Sequence, residues 1–398
     1  MLEERYSIPK EKIKQVENIL HKKKIDSLLL FAREGSDANV PFLTGAETIH
    51  LAAIFINRNK KHIVITSESD MGKYKESGIF DEVIMYEASI KDDFLKVLKK
   101  LSPNKLALNI SEEDNLCDGL TVGLYLILED MIGKERLREI ETSSEDILKE
   151  VRSIKTKTEI ERIKKAVVIT NDIYDEVFQK VQCGMTEKEI SEIFIEEMKK
   201  RNVTSGIGDS YDPPIVCLVR AGLAHRKPGE TKSESGDILI MDFSVKYKGY
   251  VSDIARTAYF LRKNETKPPE DVQKAFETAY NAITETINYI SAGKKGFEVD
   301  AVGRKVIEDG GYPTVRHSVG HQIGKECHDG GTILGPKKKT KRPAVEGIIK
   351  PGELYAIEPT VIQDNNLPCM LVEENILVND NSIEILSRRQ KELYLIKC

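Results

Sequence analysis

The sequence predicts two domains of different class: an α/β domain over residues 1–150, then an α+β domain over residues 151–398. Three observations carry this. Apolar strand-like runs alternate with amphipathic helical stretches through the first 150 residues. Beyond them, long amphipathic helices are interrupted by two segments that read as antiparallel hairpins. A chain of 398 residues also has room for roughly two or three domains.

Composition narrows the class. At 40% hydrophobic and 31% charged residues the chain falls among globular proteins rather than disordered or membrane-embedded ones. A net charge of -5 gives no electrostatic case for nucleic acid or an anionic membrane surface. No apolar run approaches the roughly 20 residues that span a bilayer. The charged start MLEERYSIPKEK lacks the apolar core of a signal peptide. Cysteines 117, 183, 217, 327, 369 and 398 are scattered without a C-x-x-C pair, which suits reduced thiols and a cytoplasmic location.

In chain order, residues 8–24 have helical spacing and residues 25–32 read as a buried strand. The stretch 51–67 gives two strands about a polar turn, and 80–87 a short one. Residues 90–101 repeat apolar positions at three- and four-residue steps, 105–110 form another strand, and 121–133 a helix ending near Gly133. His50 and His62 read as structural. The second domain opens on a helix for which Thr158 is the expected N-cap. Three further helices are expected over 186–202, from Pro269, and over 298–309, the last stopped by Gly310-Gly311.

The two hairpins carry the chemistry. In residues 238–260 a turn at Tyr247-Lys248 would set Asp242 opposite Asp253, and a turn at Lys248-Gly249 would make them a diagonal pair. Either way both side chains share one face, because side-chain direction has period two. In residues 355–378 a turn at Asn365-Asn366 sets Glu358 opposite Glu373. Facing carboxylates repel, so buried pairs need a shared proton or a cation. Between the hairpins, RHSVGHQIGKECHDGG holds His317, His321 and His328. Four carboxylates with an imidazole make a ligand set large enough for two divalent metal ions. Gly320 and Gly324 argue for extended backbone there rather than a zincin helix, and Cys327 reads as a small core residue.

Asp242, Asp253, His321, Glu358 in IEP and Glu373 in VEE resemble the ligand pattern of the pita-bread metallopeptidases. That family includes Xaa-Pro dipeptidase (prolidase), aminopeptidase P and methionine aminopeptidase. GYVSDIARTAY is similar to its GY-x-SDITRT, HSVGHQIGKECHDGG to its H-x-x-x-H-x-x-G-x-x-x-H run, and LAHRKPG, with His225, to the segment carrying another active-site histidine. The first 150 residues resemble the creatinase-like N-terminal domain of prolidases. The resemblance implies a pita-bread catalytic domain, a peptide substrate and a homodimer. It also implies two divalent ions, with Mn²⁺ first and Co²⁺ or Zn²⁺ fitting the same ligands. It assigns Asp242 to one ion, Asp253 and Glu373 as bridges, and His321 and Glu358 to the other. Glu358 would also carry the proton, His328 would face the substrate carbonyl, and His225 and His317 would line the proline pocket.

Three positions depart from the family pattern. Ala255 stands where many relatives carry Thr, Leu371 where prolidases and aminopeptidases P carry Arg, and Thr360 replaces the Gly of IEPG. The expected function is therefore a dinuclear exopeptidase acting on Xaa-Pro bonds. The alternatives are an aminopeptidase P acting on longer peptides, a creatinase-like hydrolase, and a non-catalytic binding protein on the same fold.

Overall fold

The computed structural model describes residues 2–222, 226–339, 342–364 and 368–398. The chain separates into two compact units, Met1–Arg152 and Ser153–Cys398.

The first unit is a six-stranded sheet covered on both faces. Its strands are β1 (Ser27–Ala32), β2 (Ala52–Asn57), β3 (Ile63–Thr66), β4 (Glu82–Met85), β5 (Leu106–Leu108) and β6 (Glu141–Ser143), in the spatial order β4-β3-β2-β1-β5-β6. β2 pairs antiparallel with β1 and β3, while the remaining pairs are parallel. The central β1 reads as a continuous apolar run because both its faces are buried. Leu28 and Leu30 face one apolar cluster, which includes Ile13, Val16 and Tyr74. Leu29 and Phe31 face another, with Phe94, Leu124 and Leu128. The helix Glu68–Ser77 was not expected, since its residues ESDMGKYKES carry almost no apolar periodicity. His62 is buried between Glu17 (2.9 Å) and the Asn57 amide (3.1 Å), a structural role as expected.

The second unit packs four long helices on mostly antiparallel sheets. The helices are Lys157–Lys180, Glu187–Lys200, Glu270–Tyr289 and Gly296–Asp309. The first begins one turn-fragment earlier than expected. Thr156, not Thr158, is the cap: its hydroxyl accepts from the Glu159 amide and Glu159 returns a bond to the Thr156 amide. Both threonines have a glutamate three residues on, and tertiary contact decides between them, because Glu159 also accepts from the Tyr250 hydroxyl at 3.1 Å.

The strands are β7 (Thr204–Ser205), β8 (Ile215–Leu218), β9 (Ile238–Phe243), β10 (Val245–Tyr247), β11 (Tyr250–Val251), β12 (Ile254–Leu261), β13 (Gly320–Gln322), β14 (Leu354–Ile357), β15 (Glu374–Val378), β16 (Ile383–Ile385) and β17 (Tyr394–Lys397). They form the sheets β11-β10-β7, β17-β12-β9-β8 and β13-β14-β15-β16. An apolar cluster running through Ile240, Tyr259, Phe276, Ile283, Leu334 and Ile376 packs the helices Glu270–Tyr289 and Gly296–Asp309 against the sheets.

One expectation is corrected. Cys183 and Cys398 are joined by a disulfide with their Cα atoms 5.0 Å apart, while Cys117, Cys217, Cys327 and Cys369 are buried free thiols. The pair is 215 residues apart in sequence, so no local spacing announces it. It forms because β17 lies along β12 and Tyr394 stacks on Phe178, with ring centroids 3.7 Å apart. No helix among the described residues is long and apolar enough to cross a membrane.

Candidate metal centre

The first hairpin turns at Lys248-Gly249, both with positive φ (48° and 80°), as a two-residue turn that follows strand twist requires. That turn pairs Asp242 with Ala255, so Asp242 and Asp253 are the diagonal pair on one face. In the second hairpin Ile357 pairs with Glu374, which puts Glu358 and Glu373 on the next rung. The Asn365-Asn366 turn itself lies outside the described residues. His321 is the middle residue of β13, paired with Ala356. It stands on a strand, as the flanking glycines suggested.

Backbone bonds hold the hairpins together. The Glu373 amide donates to the Ala255 carbonyl at 3.2 Å. The Asn375 side chain accepts from the Asp253 amide at 3.0 Å and donates back to the Asp253 carbonyl. As a result, one ligand atom from each of Asp253, His321 and Glu373 lies within 4.8 Å of the others, all three residues being buried. His321 Nε2 is 3.7 Å from Asp253 Oδ2 and 3.7 Å from Glu358 Oε1. Asp242, half-buried, belongs to the same group through its charge.

The electrostatics call for a cation. Burial raises the carboxyls of Asp253 and Glu373, and their acidic neighbours raise them further: Asp242 and Glu358 for Asp253, and Asp253, Asp242 and Glu358 for Glu373. Glu358 is pushed up to about 8 by burial and by Asp242. His321 moves the opposite way, down to about 4, through burial and then the neighbouring His328. A neutral His321 that donates from Nδ1 to the Gln322 carbonyl (3.3 Å) turns the lone pair of Nε2 toward two carboxylates. Asp253 Oδ1 is buried without a hydrogen-bond partner. Lone pairs facing lone pairs in a buried site, with one oxygen left bare, fit a bound divalent cation.

The remaining histidines fall in two groups. The exposed His328 ring lies 4.3 Å from the His321 ring, centroid to centroid. His317 Nδ1 lies 3.9 Å from Glu358 Oε1 and 2.7 Å from the Ser318 carbonyl, while its Nε2 takes the Thr360 hydroxyl at 2.9 Å. Thr360, the residue in place of the family glycine, thus occupies a ring nitrogen of His317. His225 lies outside the described residues. A cavity of about 130 Å³ opens beside Asp242, with Pro213, Pro214, Phe243, Asp212 and Lys227 in its lining. Leu371 is buried in the apolar core and brings no charge to the site.

Asn375 did not emerge as a ligand support from the sequence, whereas Arg256, with Tyr259, was open both to a place behind the ligands and to a surface strand role. The signal for Arg256 was a charge inside a strand that is otherwise buried throughout. Its guanidinium, 2% exposed, donates to the carbonyls of Ala255, Glu373 (2.8 Å each) and Arg388 (2.7 Å) and pairs with Glu374 at 3.3 Å. Arg256→Met removes a donor from the Glu373 and Arg388 carbonyls and the charge partner of the buried Glu374 carboxylate. The expected loss is about 3–5 kcal/mol of stability, read by urea denaturation; a change below about 1 kcal/mol would show that the guanidinium is not needed there.

A model of metallopeptidase family M24 matches residues 161–380, and a model of the creatinase/prolidase N-terminal domain matches residues 12–154. The chain is 26% identical to an Xaa-Pro dipeptidase of Pyrococcus furiosus over 319 residues, covering 79% of this chain and 86% of that one. Among solved structures, an Xaa-Pro dipeptidase from Bacillus anthracis superposes with a TM-score of 0.76 at 26% identity, over 98% of this chain and 100% of that one. An X-Pro aminopeptidase from Thermotoga maritima superposes with a TM-score of 0.73 at 23% identity, over 96% and 99%.

Proposed function

Because the chain belongs to metallopeptidase family M24, with a creatinase-type N-terminal domain ahead of a pita-bread catalytic domain, we propose that it is a dinuclear exopeptidase hydrolysing Xaa-Pro bonds in dipeptides and short peptides. The observation that carries this is the neutral His321 Nε2 aimed at Asp253 and Glu358 beside an unpartnered Asp253 oxygen. Catalysis is assigned to residues 151–398. The protein is a homodimer in this reading, and its cytoplasmic location, expected from reduced thiols, has the Cys183–Cys398 disulfide against it.

Asp242, Asp253, His321, Glu358 and Glu373 hold two divalent ions, with Mn²⁺ the choice best suited to a carboxylate-rich shell. Bound there, such ions lower the pKa of a shared water and polarise the scissile carbonyl. Glu358 takes the proton of the attacking water and delivers it to the leaving nitrogen. His328, exposed beside His321, donates to the carbonyl oxygen as it gains charge. His317 and His225 line the pocket for the leaving proline. His328→Ala should lower kcat by about 10²–10³ while metal content stays at the wild-type level. A metal-free variant would make His328 a ligand instead.

A second reading is an aminopeptidase P acting on longer peptides; Leu371, buried in the apolar core, stands where both groups carry Arg and does not separate them. One panel tests both, under identical Mn²⁺ loading: Ala-Pro, Leu-Pro, Ala-Pro-Ala, Ala-Ala and Leu-Ala. Proline-containing substrates should be cleaved at least tenfold faster, a difference of about 1.4 kcal/mol in transition-state binding. Equal cleavage of Ala-Ala would overturn the proline specificity, and preference for the tripeptide would select the second reading.

A further inference from the structure

Near His321 and His328, whose rings lie 4.3 Å apart at a tilt of 39°, is a charge that the proposed chemistry does not use. Lys155 sits just before the helix Lys157–Lys180, its backbone amide bonded to the Gly352 carbonyl at 3.0 Å. Its ammonium side chain is 0% exposed. It donates to Gln322 Oε1 at 3.2 Å and pairs with Asp329 Oδ2 at 3.5 Å, a carboxylate that is itself 4% exposed. Gln322 follows His321 in the chain, and Asp329 follows His328.

On β13 successive side chains point to opposite faces, so Gln322 points away from the face that carries His321. The loop returning from β13 is drawn back to it by a bond from the Asp329 amide to the Gln322 carbonyl, 3.0 Å. Gln322 is fixed on its other side as well: its amide donates to the Tyr355 hydroxyl at 3.3 Å, which donates to Glu353 at 2.6 Å. The packing leaves no slack. A Cβ on Gly324 would meet Asp329 Oδ2 at 1.9 Å and Lys155 Cε at 2.9 Å, and one on Gly331 would meet Gln322 Nε2 at 2.6 Å.

We propose that Lys155 is the positioning residue that sets the spacing of His321 and His328, one buried ammonium gripping the residue that follows each histidine. Burying such a charge is costly unless it is matched, and here Gln322 and Asp329, which help to match it, are the immediate neighbours of site histidines. A shift of Gln322 or Asp329 is passed through one peptide unit to the adjacent imidazole, and the 4.3 Å separation of the rings is set from behind. The inference rests on the reading of His321 as a ligand and His328 as the group facing the carbonyl.

The test uses the full-length protein and three variants: Lys155→Met, the paired replacement Lys155→Met with Asp329→Leu, and Gln322→Met. The paired replacement leaves no lone buried charge, and such exchanges are often neutral for folding. Gln322→Met keeps the ion pair and is the arm that reports should the others not fold. Co²⁺ titration followed by visible absorption reads the histidine geometry directly, and kcat and KM on Ala-Pro are measured separately. Loss of a partner that orients a ligand costs roughly 10–100-fold in metal affinity or turnover. The expected result is a fall of that size in Co²⁺ affinity and kcat for the Lys155 variants, a smaller fall for Gln322→Met, altered absorption bands and an unchanged KM. If wild type takes up no Co²⁺, the metal-centre reading falls and this inference with it. If wild type takes it up and every folded variant matches it in affinity, bands and kcat, the role of Lys155 alone is overturned.

Discussion

Glu373→Ala should yield a folded protein that has lost its bound metal and at least about 10³-fold of its activity, equivalent to about 4 kcal/mol of transition-state stabilisation. The scaffold around position 373 is built from backbone, and the substitution leaves it in place. The Glu373 amide donates to Ala255, and its carbonyl accepts from Arg256 at 2.8 Å. What disappears is one carboxylate of a group whose oxygens and imidazole nitrogen lie within 4.8 Å of one another. The proposed function makes Glu373 and Asp253 the two ligands shared by both ions, so Asp253→Ala should behave the same way. Elemental analysis after dialysis, read with turnover of Ala-Pro and a thermal melt, separates loss of site from loss of fold. Wild-type metal stoichiometry together with activity within tenfold of wild type would end the assignment of Glu373 as a bridge.

Removing the metal from the intact protein should make its stability fall as pH rises. Three carboxyls, Asp253, Glu358 and Glu373, are held above their ordinary range, with burial the first cause and mutual repulsion the second. A folded state that binds protons more tightly than the unfolded chain has a stability that decreases with pH. The contribution is fully present below the ordinary carboxylate pKa, near 4.5, and is lost as pH climbs through the folded value, about 8 for Glu358. Over that window the loss is on the order of a few kcal/mol, or roughly 10 °C in melting temperature for a domain of this size. Bound cations reverse the sign of the repulsion, and the loaded protein should show little of this slope. Melting curves from pH 5 to pH 9, with and without Mn²⁺, make the comparison. A metal-free protein as stable at pH 9 as at pH 5 would show that the acids do not share one buried site.

Much of the site was legible because hairpin periodicity is local. Two acids eleven residues apart share a face for either two-residue turn, so the grouping of Asp242 with Asp253 survived the choice between the two registers. The second hairpin left less freedom, and Glu358 and Glu373 fall on one rung. Other features were hidden for stated physical causes. The helix Glu68–Ser77 is short and polar, without a periodic apolar face to announce it. Thr156 and Thr158 are equivalent as caps until Tyr250 arrives to engage Glu159.

The sequence by itself determined the class of each domain, the face on which the acids lie and the residues able to hold metal, because these follow from side-chain alternation, helical spacing and residue chemistry. Only the tertiary structure decided what stands behind them. Asn375 clamps Asp253, Arg256 ties β12 to Glu373, Lys155 reaches from just ahead of the helix Lys157–Lys180 to the neighbours of two histidines, and Cys183 finds Cys398. Each of these joins residues more than a hundred positions apart, and no local periodicity records which distant segment will be a neighbour. Such contacts arise when apolar faces pack and buried polar groups must find partners.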